Sequence, residues 1–359
     1  MKDIYHITEN ISKSSGGVRT ILKLLHENLV NNNINSEIIT TCKEPEDAFT
    51  EFKSDKAWYY NTRIKSHLKT LHDNAIFHLH GVYTYNQYVA SEIAKKKNIP
   101  YLVTPHGMLE PWILEKNPIK KGIYLKLILN NILEKATVLH AITPLEKENL
   151  FKLTKHKNIV EIPNLIDFNN IPKNLNYNPK EDYFVFVGRI DSKKGIEIII
   201  EALKIINNSN IKVKIIGVEN KYSEYLKELI KKRDLVNNID FLGGIFGDEK
   251  YNLIANARAL LAPSYSEAIG MVNLEAAACK TPVITTFQTG LKKEWGKNGG
   301  ILINPNVSEL KNAIIESYNW NNNERIERGK HLYEFTQNNY SWDKKAWLWH
   351  ELYKNLKKL

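Results

Sequence analysis

From DIYHI (3–7) to NIVEIPNL (158–165), and again from YFVFVG (183–188) to GGILINP (299–305), short apolar runs alternate with amphipathic stretches. Only one architecture accommodates such a rhythm well. Parallel strands must be joined by crossover segments, and the apolar faces of those helices cover a sheet that is buried on both sides. The first crossover, SSGGVRTILKLLHENLVNNN (14–33), is a glycine turn followed by a helix with Ile21, Leu22, Leu25 and Leu29 on one side. Later in this half, Thr143, Pro144 and Glu146 spell a capping box before the helix TPLEKENLFKL. The fold class is therefore α/β, as two Rossmann-like parallel-sheet domains.

A chain of 359 residues exceeds what one hydrophobic core usually organises. The polar stretch IPKNLNYNPKEDY (171–183) reads as the linker between the halves. We place the first domain at 1–168, with the aromatic-rich tail helix 341–359 packing back on it, and the second at 169–340. Open parallel sheets bind ligands at the carboxyl ends of their strands, which directs attention to a cleft between the domains.

The formal charge of +10 suits an anionic partner: nucleic acid, an anionic membrane face or a phosphorylated ligand. Runs of Lys and Arg interleaved with aromatics are absent, as are zinc-finger spacings, so no nucleic-acid partner is expected. Cys42 and Cys279 are too few for a disulfide framework. The start MKDIYHITEN lacks the apolar core of a signal peptide, and no apolar run approaches the ~20 residues that span a bilayer. A cytoplasmic protein is expected. Residues 115–135, with five lysines and two glutamates among apolar residues, are a candidate for peripheral contact with the inner face of the plasma membrane; an ordinary amphipathic helix is the other reading.

Four segments carry candidate chemistry. FVGRIDSKKG (186–195) is a strand ending in glycine, then Arg189, then Lys194 before a helix. A guanidinium fork and a mobile ammonium suit a diphosphate, although two solvated loop cations have the same spacing. PSYSEAIGMVNLEA places Glu267 on a loop, Gly270, Met271 and Val272 at a helix start, and Glu275 inside that helix. Free amides and the helix dipole favour a phosphate there, and Gly270 lets it approach. Glu275 has the acceptors to hold a vicinal diol and Glu267 those for sugar hydroxyls, but a dipole glutamate and a satisfied core glutamate fit the same pattern. Finally, His80 and His106 end strands in HLHG and TPHG.

PSYSEAIGMVNLEA resembles the glutamate–seven residues–glutamate signature of the retaining glycosyltransferases of family 4, the group 1 glycosyltransferases. FVGRIDSKKGIEIIIEAL resembles the phosphate-gripping segment of that family; SGGVRT, TPHGMLEPW and IPNLID resemble further family elements in the right order. The resemblance implies the GT-B fold and a donor held mainly by the second domain. It implies that Arg189 and Lys194 hold the donor diphosphate, that Glu267 contacts the transferred sugar, and that the Gly270, Met271 and Val272 amides touch sugar and phosphate. Glu275 would bind the ribose, Gly16 and Gly17 would form the turn beside the diphosphate, and His106 would face the donor sugar. Two departures stand out. Ala268-Ile269 replaces a frequent Gly-Phe, and Leu165 replaces a glycine, which would pass any left-handed conformation to Asn164.

The activity implied is retaining transfer of a sugar from a nucleotide-diphosphate sugar, a UDP-sugar first, to a hydroxyl of a glycan or lipid-linked glycan in bacterial surface glycan synthesis. No Asp-x-Asp occurs in the chain, so no metal and no cofactor are expected. A non-catalytic nucleotide- or glycan-binding partner and a nucleotide-sugar epimerase are the competing readings.

Overall fold

The computed structural model describes residues 3–115, 118–175 and 182–357. The chain divides into two compact units, Met1–Leu165 together with Lys345–Leu359, and Ile166–Lys344. Part of the linker read from the sequence, 176–181, lies outside the described residues.

The first unit is built on β1 (Asp3–Ile7), β2 (Ser36–Thr40), β3 (Thr50–Glu51), β4 (Ala75–His80), β5 (Tyr101–Thr104), β6 (Val138–Ala141) and β7 (Ile159–Glu161). Their order across the sheet is β3-β2-β1-β4-β5-β6-β7, and every pairing is parallel. β4, AIFHLH, is buried at all six positions, as a central strand covered on both faces must be. Phe77 and Leu79 join the apolar cluster on one face, while His78 and His80 point the other way. Residues 41–73 carry no strong periodic signal in the sequence. They hold the two-residue β3 and the helix Thr62–Thr70.

The second unit uses β8 (Phe184–Val187), β9 (Val213–Ile216), β10 (Ile239–Gly243), β11 (Leu260–Ala262), β12 (Val283–Thr286) and β13 (Ile301–Ile303). Its order is β10-β9-β8-β11-β12-β13, again all parallel. Each sheet therefore reverses its winding once, between β1 and β4 in the first and between β8 and β11 in the second. Such switch points open a crevice beyond the strand ends where ligands bind.

Two local expectations are corrected. Thr143 does cap the helix Pro144–Thr154, accepting from Glu146 N at 3.0 Å, but Glu146 does not return to the Thr143 amide. Its carboxylate takes the amides of Ile142 and Gly107 instead, both at 2.7 Å. Neither Asn164 nor Leu165 adopts a positive φ, so the missing glycine leaves no strained residue. The 115–135 stretch is helical in pieces, Pro118–Tyr124, a π turn at Leu125–Leu129 and Asn130–Glu134.

Candidate active site

In the second unit, both chemical segments leave the carboxyl ends of the strands flanking the switch point. Gly188 follows β8 and leads to exposed Arg189; Asp191 caps the short turn Ser192–Lys194 by accepting from Lys193 N at 2.8 Å. Gly195 follows with φ +68°, and a Cβ there would lie 2.3 Å from the Pro263 carbonyl oxygen. Only glycine lets the loop after β8 come this close to the loop after β11. The two loops are also joined by Tyr265 N donating to Lys193 O at 2.9 Å.

This docking delivers Lys194 Nζ to Glu267 Oε2 as a hydrogen-bonded ion pair and leaves Lys193 Nζ 4.0 Å from the other carboxylate oxygen. Burial pushes the Glu267 carboxyl up, but Lys194, Lys193 and Arg189 outweigh it and hold the pKa below the ordinary value. Burial lowers the Lys193 ammonium, against the pull of Glu267. The sequence reading missed Lys193; its only signal was adjacency to Lys194.

After Glu267 the chain makes two left-handed residues, Ile269 (φ +68°) and Gly270 (φ +70°). Such a φ is a severe conformation for a β-branched residue. Ile269 is held there by its amide donating to Thr289 O at 2.8 Å and by Asn273 Nδ2 donating to Ile269 O at 2.6 Å. The turn opens the helix Met271–Ala278, capped by Gly270 without a side-chain cap. A Cβ on Gly270 would press to 2.9 Å from Glu267 Cγ. The Gly270 amide, expected to be free, donates to the Ala268 carbonyl at 2.8 Å, because the left-handed turn folds back on itself. The first-turn amides of Met271 and Val272 are left beside the cluster of cations, a fit for an anion. Inside the helix Glu275 pairs with Lys250 at 3.0 Å, a partner supplied by the helix Gly247–Asn256 and not legible from local spacing.

In the first unit Gly16 (φ +61°) precedes the helix Gly17–Asn31. Arg19 on this helix grips Asp47 with both guanidinium nitrogens, and Lys23 adds a contact at 3.2 Å. Burial raises the Asp47 carboxyl, yet these cations bring it to about 2. His106 sits beyond β5 in a left-handed conformation (φ +55°), followed by Gly107 at +73°. The Glu146 carboxylate fixes this turn through the Gly107 amide. Burial lifts Glu146 to about 7 although two backbone amides favour its charge. His80 Nδ1 lies 3.0 Å from His106 Nε2, so the two strand-end histidines are in contact. Burial lowers His106 to about 3, making its ring neutral at physiological pH.

The profile described as Glycosyl transferases group 1 matches residues 167–333, and that described as Glycosyltransferase Family 4 matches 15–170. An uncharacterized glycosyltransferase of Methanocaldococcus jannaschii is 30% identical over 272 residues, 74% of this chain and 72% of its own length. This chain belongs to the group 1 glycosyltransferases. The O-antigen chain mannosyltransferase of Salmonella typhimurium is 28% identical over 39% of this chain and 42% of its own length. The structure of HepE from Anabaena, solved with UDP and glucose, superposes with a TM-score of 0.77 over the full length of both chains at 15% identity, which shows a shared GT-B fold. The glycosyltransferase described here carries its cationic loop, glutamate turn and helix start within one unit, at one switch point.

Proposed function

We propose that this glycosyltransferase moves a sugar from a nucleotide-diphosphate sugar, a UDP-sugar, to an acceptor hydroxyl with retention and without a metal ion. The observation that carries the reading is the pairing of Lys194 with Glu267, with Lys193 at 4.0 Å, on the loops after β8 and β11 beside the helix start at Gly270. In the transition state negative charge grows on the leaving diphosphate. Arg189, Lys194 and the amides of Met271 and Val272 are preorganised donors for that charge, in place of a metal, while the Gly270 amide is held by Ala268 O. Glu267 holds hydroxyls of the transferred sugar, with Lys194 keeping its carboxylate ionised. Glu275 takes the ribose diol, sharing its oxygens with Lys250. Gly16 and Gly17 give the diphosphate a turn without side chains, and neutral His106 bonds to the donor sugar. The acceptor attacks from the face the diphosphate leaves, and the diphosphate takes its proton.

We assign the acceptor to a surface glycan or its lipid-linked precursor. The likeness to the O-antigen mannosyltransferase supports this. A second support is an uncovered apolar stripe: Ile119, Ile123 and Leu127 are 78%, 56% and 73% exposed and recur at helical spacing. Among the described residues no helix is long and apolar enough to cross a membrane. The stripe, with Lys126 beside it, suits shallow peripheral binding to an anionic cytoplasmic leaflet.

Purified enzyme incubated with a panel of nucleotide sugars in excess chelator should hydrolyse at least one slowly. Lys194→Ala and Glu267→Ala should each cut this by at least about 10²-fold; turnover undiminished by both changes overturns the site assignment. Flotation with anionic vesicles should occur at low salt and weaken on Leu127→Ser. Absence of binding at low salt removes the membrane part alone.

A further inference from the structure

The first sheet contains two hydrogen-bonded chains of histidines whose proton positions follow from their ends. In one, His140 Nε2 lies 2.8 Å from the Ile162 carbonyl, which accepts only, so His140 donates there. His140 Nδ1 then accepts from the Thr104 hydroxyl at 2.8 Å, Thr104 accepts from His78 Nε2 at 2.7 Å, and His78 Nδ1 accepts from Tyr353 OH at 2.7 Å. Every proton in this chain is assigned, and both nitrogens of His78 are used.

The second chain runs from His6 Nδ1 to His80 Nε2 and from His80 Nδ1 to His106 Nε2, each 3.0 Å. Burial keeps His6 and His106 at about 3 and His80 well below its usual value, so all three rings are neutral and each carries one proton. Two arrangements remain. If His106 donated inward, the last proton would sit on His6 Nε2, which is buried and has no partner among the described residues. If His6 donates outward, that atom is a bare lone pair and the last proton sits on His106 Nδ1. Buried orphan donors are rarer than under-satisfied acceptors, and His106 is half-buried where His6 is fully buried, so its outer nitrogen is the better place for the last proton.

We propose that His80 is a positioning residue that holds His106 as the neutral Nδ1–H tautomer, so that His106 meets its ligand as a hydrogen-bond donor and not as a base. The identity of that ligand as the donor sugar rests on the function proposed above; the tautomer does not. The arrangement also speaks against a divalent ion at His6, His78 and His80, whose ligand atoms lie within 4.8 Å of one another. Both nitrogens of His78 and of His80 are already bonded, and the group of ligand atoms found there among the described residues contains no carboxylate or thiolate to offset a dication.

Long-range proton–nitrogen spectra of the whole enzyme labelled with nitrogen-15 histidine read each ring's tautomer at neutral pH. Wild-type His106 is expected as Nδ1–H; finding it as Nε2–H overturns the proposal without any variant having to fold. His80→Gln, whose amide reaches the His6 side, should release His106 into a mixture of tautomers. His80→Asn, whose amide nitrogen replaces Nδ1, should restore the single Nδ1–H form. Transfer should fall about tenfold in kcat with His80→Gln, the worth of one hydrogen bond, and recover with His80→Asn. An unchanged His106 spectrum in His80→Gln also overturns the proposal. Full activity in His106→Ala would remove the sugar contact while leaving the tautomer standing. In a cobalt(II) titration no stoichiometric visible absorption is expected; a band lost in His6→Ala would overturn the assigned proton chain.

Discussion

Tyr265 donates its backbone amide to the Lys193 carbonyl at 2.9 Å, which makes one structure of two segments that stand far apart in the sequence. Gly195 is the contact that permits it. Gly195→Ala combines a left-handed alanine with a side chain driven into the Pro263 carbonyl. A loss of about 2–5 kcal/mol is expected. Urea midpoints measure it, and hydrolysis of the nucleotide sugar should fall with the displaced Lys194. A midpoint like that of the unmodified enzyme would mean the loops are not locked.

Lys194→Ala should lower kcat by about 10²–10³-fold, the usual effect of deleting one preorganised donor at a developing anion. It also leaves Glu267 with only Lys193 and Arg189 to offset its burial. Steady-state kinetics with the best donor are the check. A change confined to KM would show that Lys194 serves binding alone.

Ile269 inverts a familiar order. Alanine normally exceeds glycine in stability, but at φ +68° glycine avoids the left-handed penalty that alanine retains. Both variants lose the buried side chain, at about 2–5 kcal/mol. Ile269→Gly should therefore be more stable than Ile269→Ala by about 1 kcal/mol. Paired denaturant melts decide, and the opposite ranking would mean that the turn relaxes in the alanine variant.

Acid should destabilise the first unit. His6 and His106 titrate near 3 and His140 near 4 in the fold, against about 6.5 in the unfolded chain. As pH drops below 6.5 the unfolded chain binds these protons first, so their contribution is whole above 6.5 and is lost toward pH 3–4. Glu146, raised to about 7, works in the other direction between 4.5 and 7, as does Glu9, which burial also raises. These two stand against the five lowered histidines His6, His78, His80, His106 and His140. The thermal midpoint should fall from pH 6.5 to 4.5, with hydrogen exchange rising first in β1 and β4. A flat midpoint over that range contradicts a neutral histidine core.

Tyr353→Phe removes the donor at the head of the first histidine chain and strands His78 Nδ1. A cost of about 1–3 kcal/mol is expected, with faster proteolysis of the helix Trp347–Leu356.

The alternation of strands and helices was legible because each element carries its own period. So were Arg189, Lys194, Glu267, Gly270 and Glu275, which sit in two short continuous segments. What escaped depends on register and on distant partners. His6 and His78 are neighbours only because β1 pairs with β4 in that register. Lys250 meets Glu275, and Asp47 meets Arg19, from elements whose approach no local pattern records. The left-handed Ile269 runs against the preference of its own side chain, so propensity would place it elsewhere. It is tolerated because Thr289 and Asn273 secure its backbone on both sides.

Tyr353 belongs with the first unit, yet the whole of Ile166–Lys344 is translated before it. At about 5–20 residues per second, the ribosome needs roughly 10–40 s to travel from the end of the first sheet to that tyrosine. During this interval the nascent sheet holds His78 without its donor, and the second unit has time to fold first. Order of synthesis and order of completion are then reversed: the domain begun earliest is finished last.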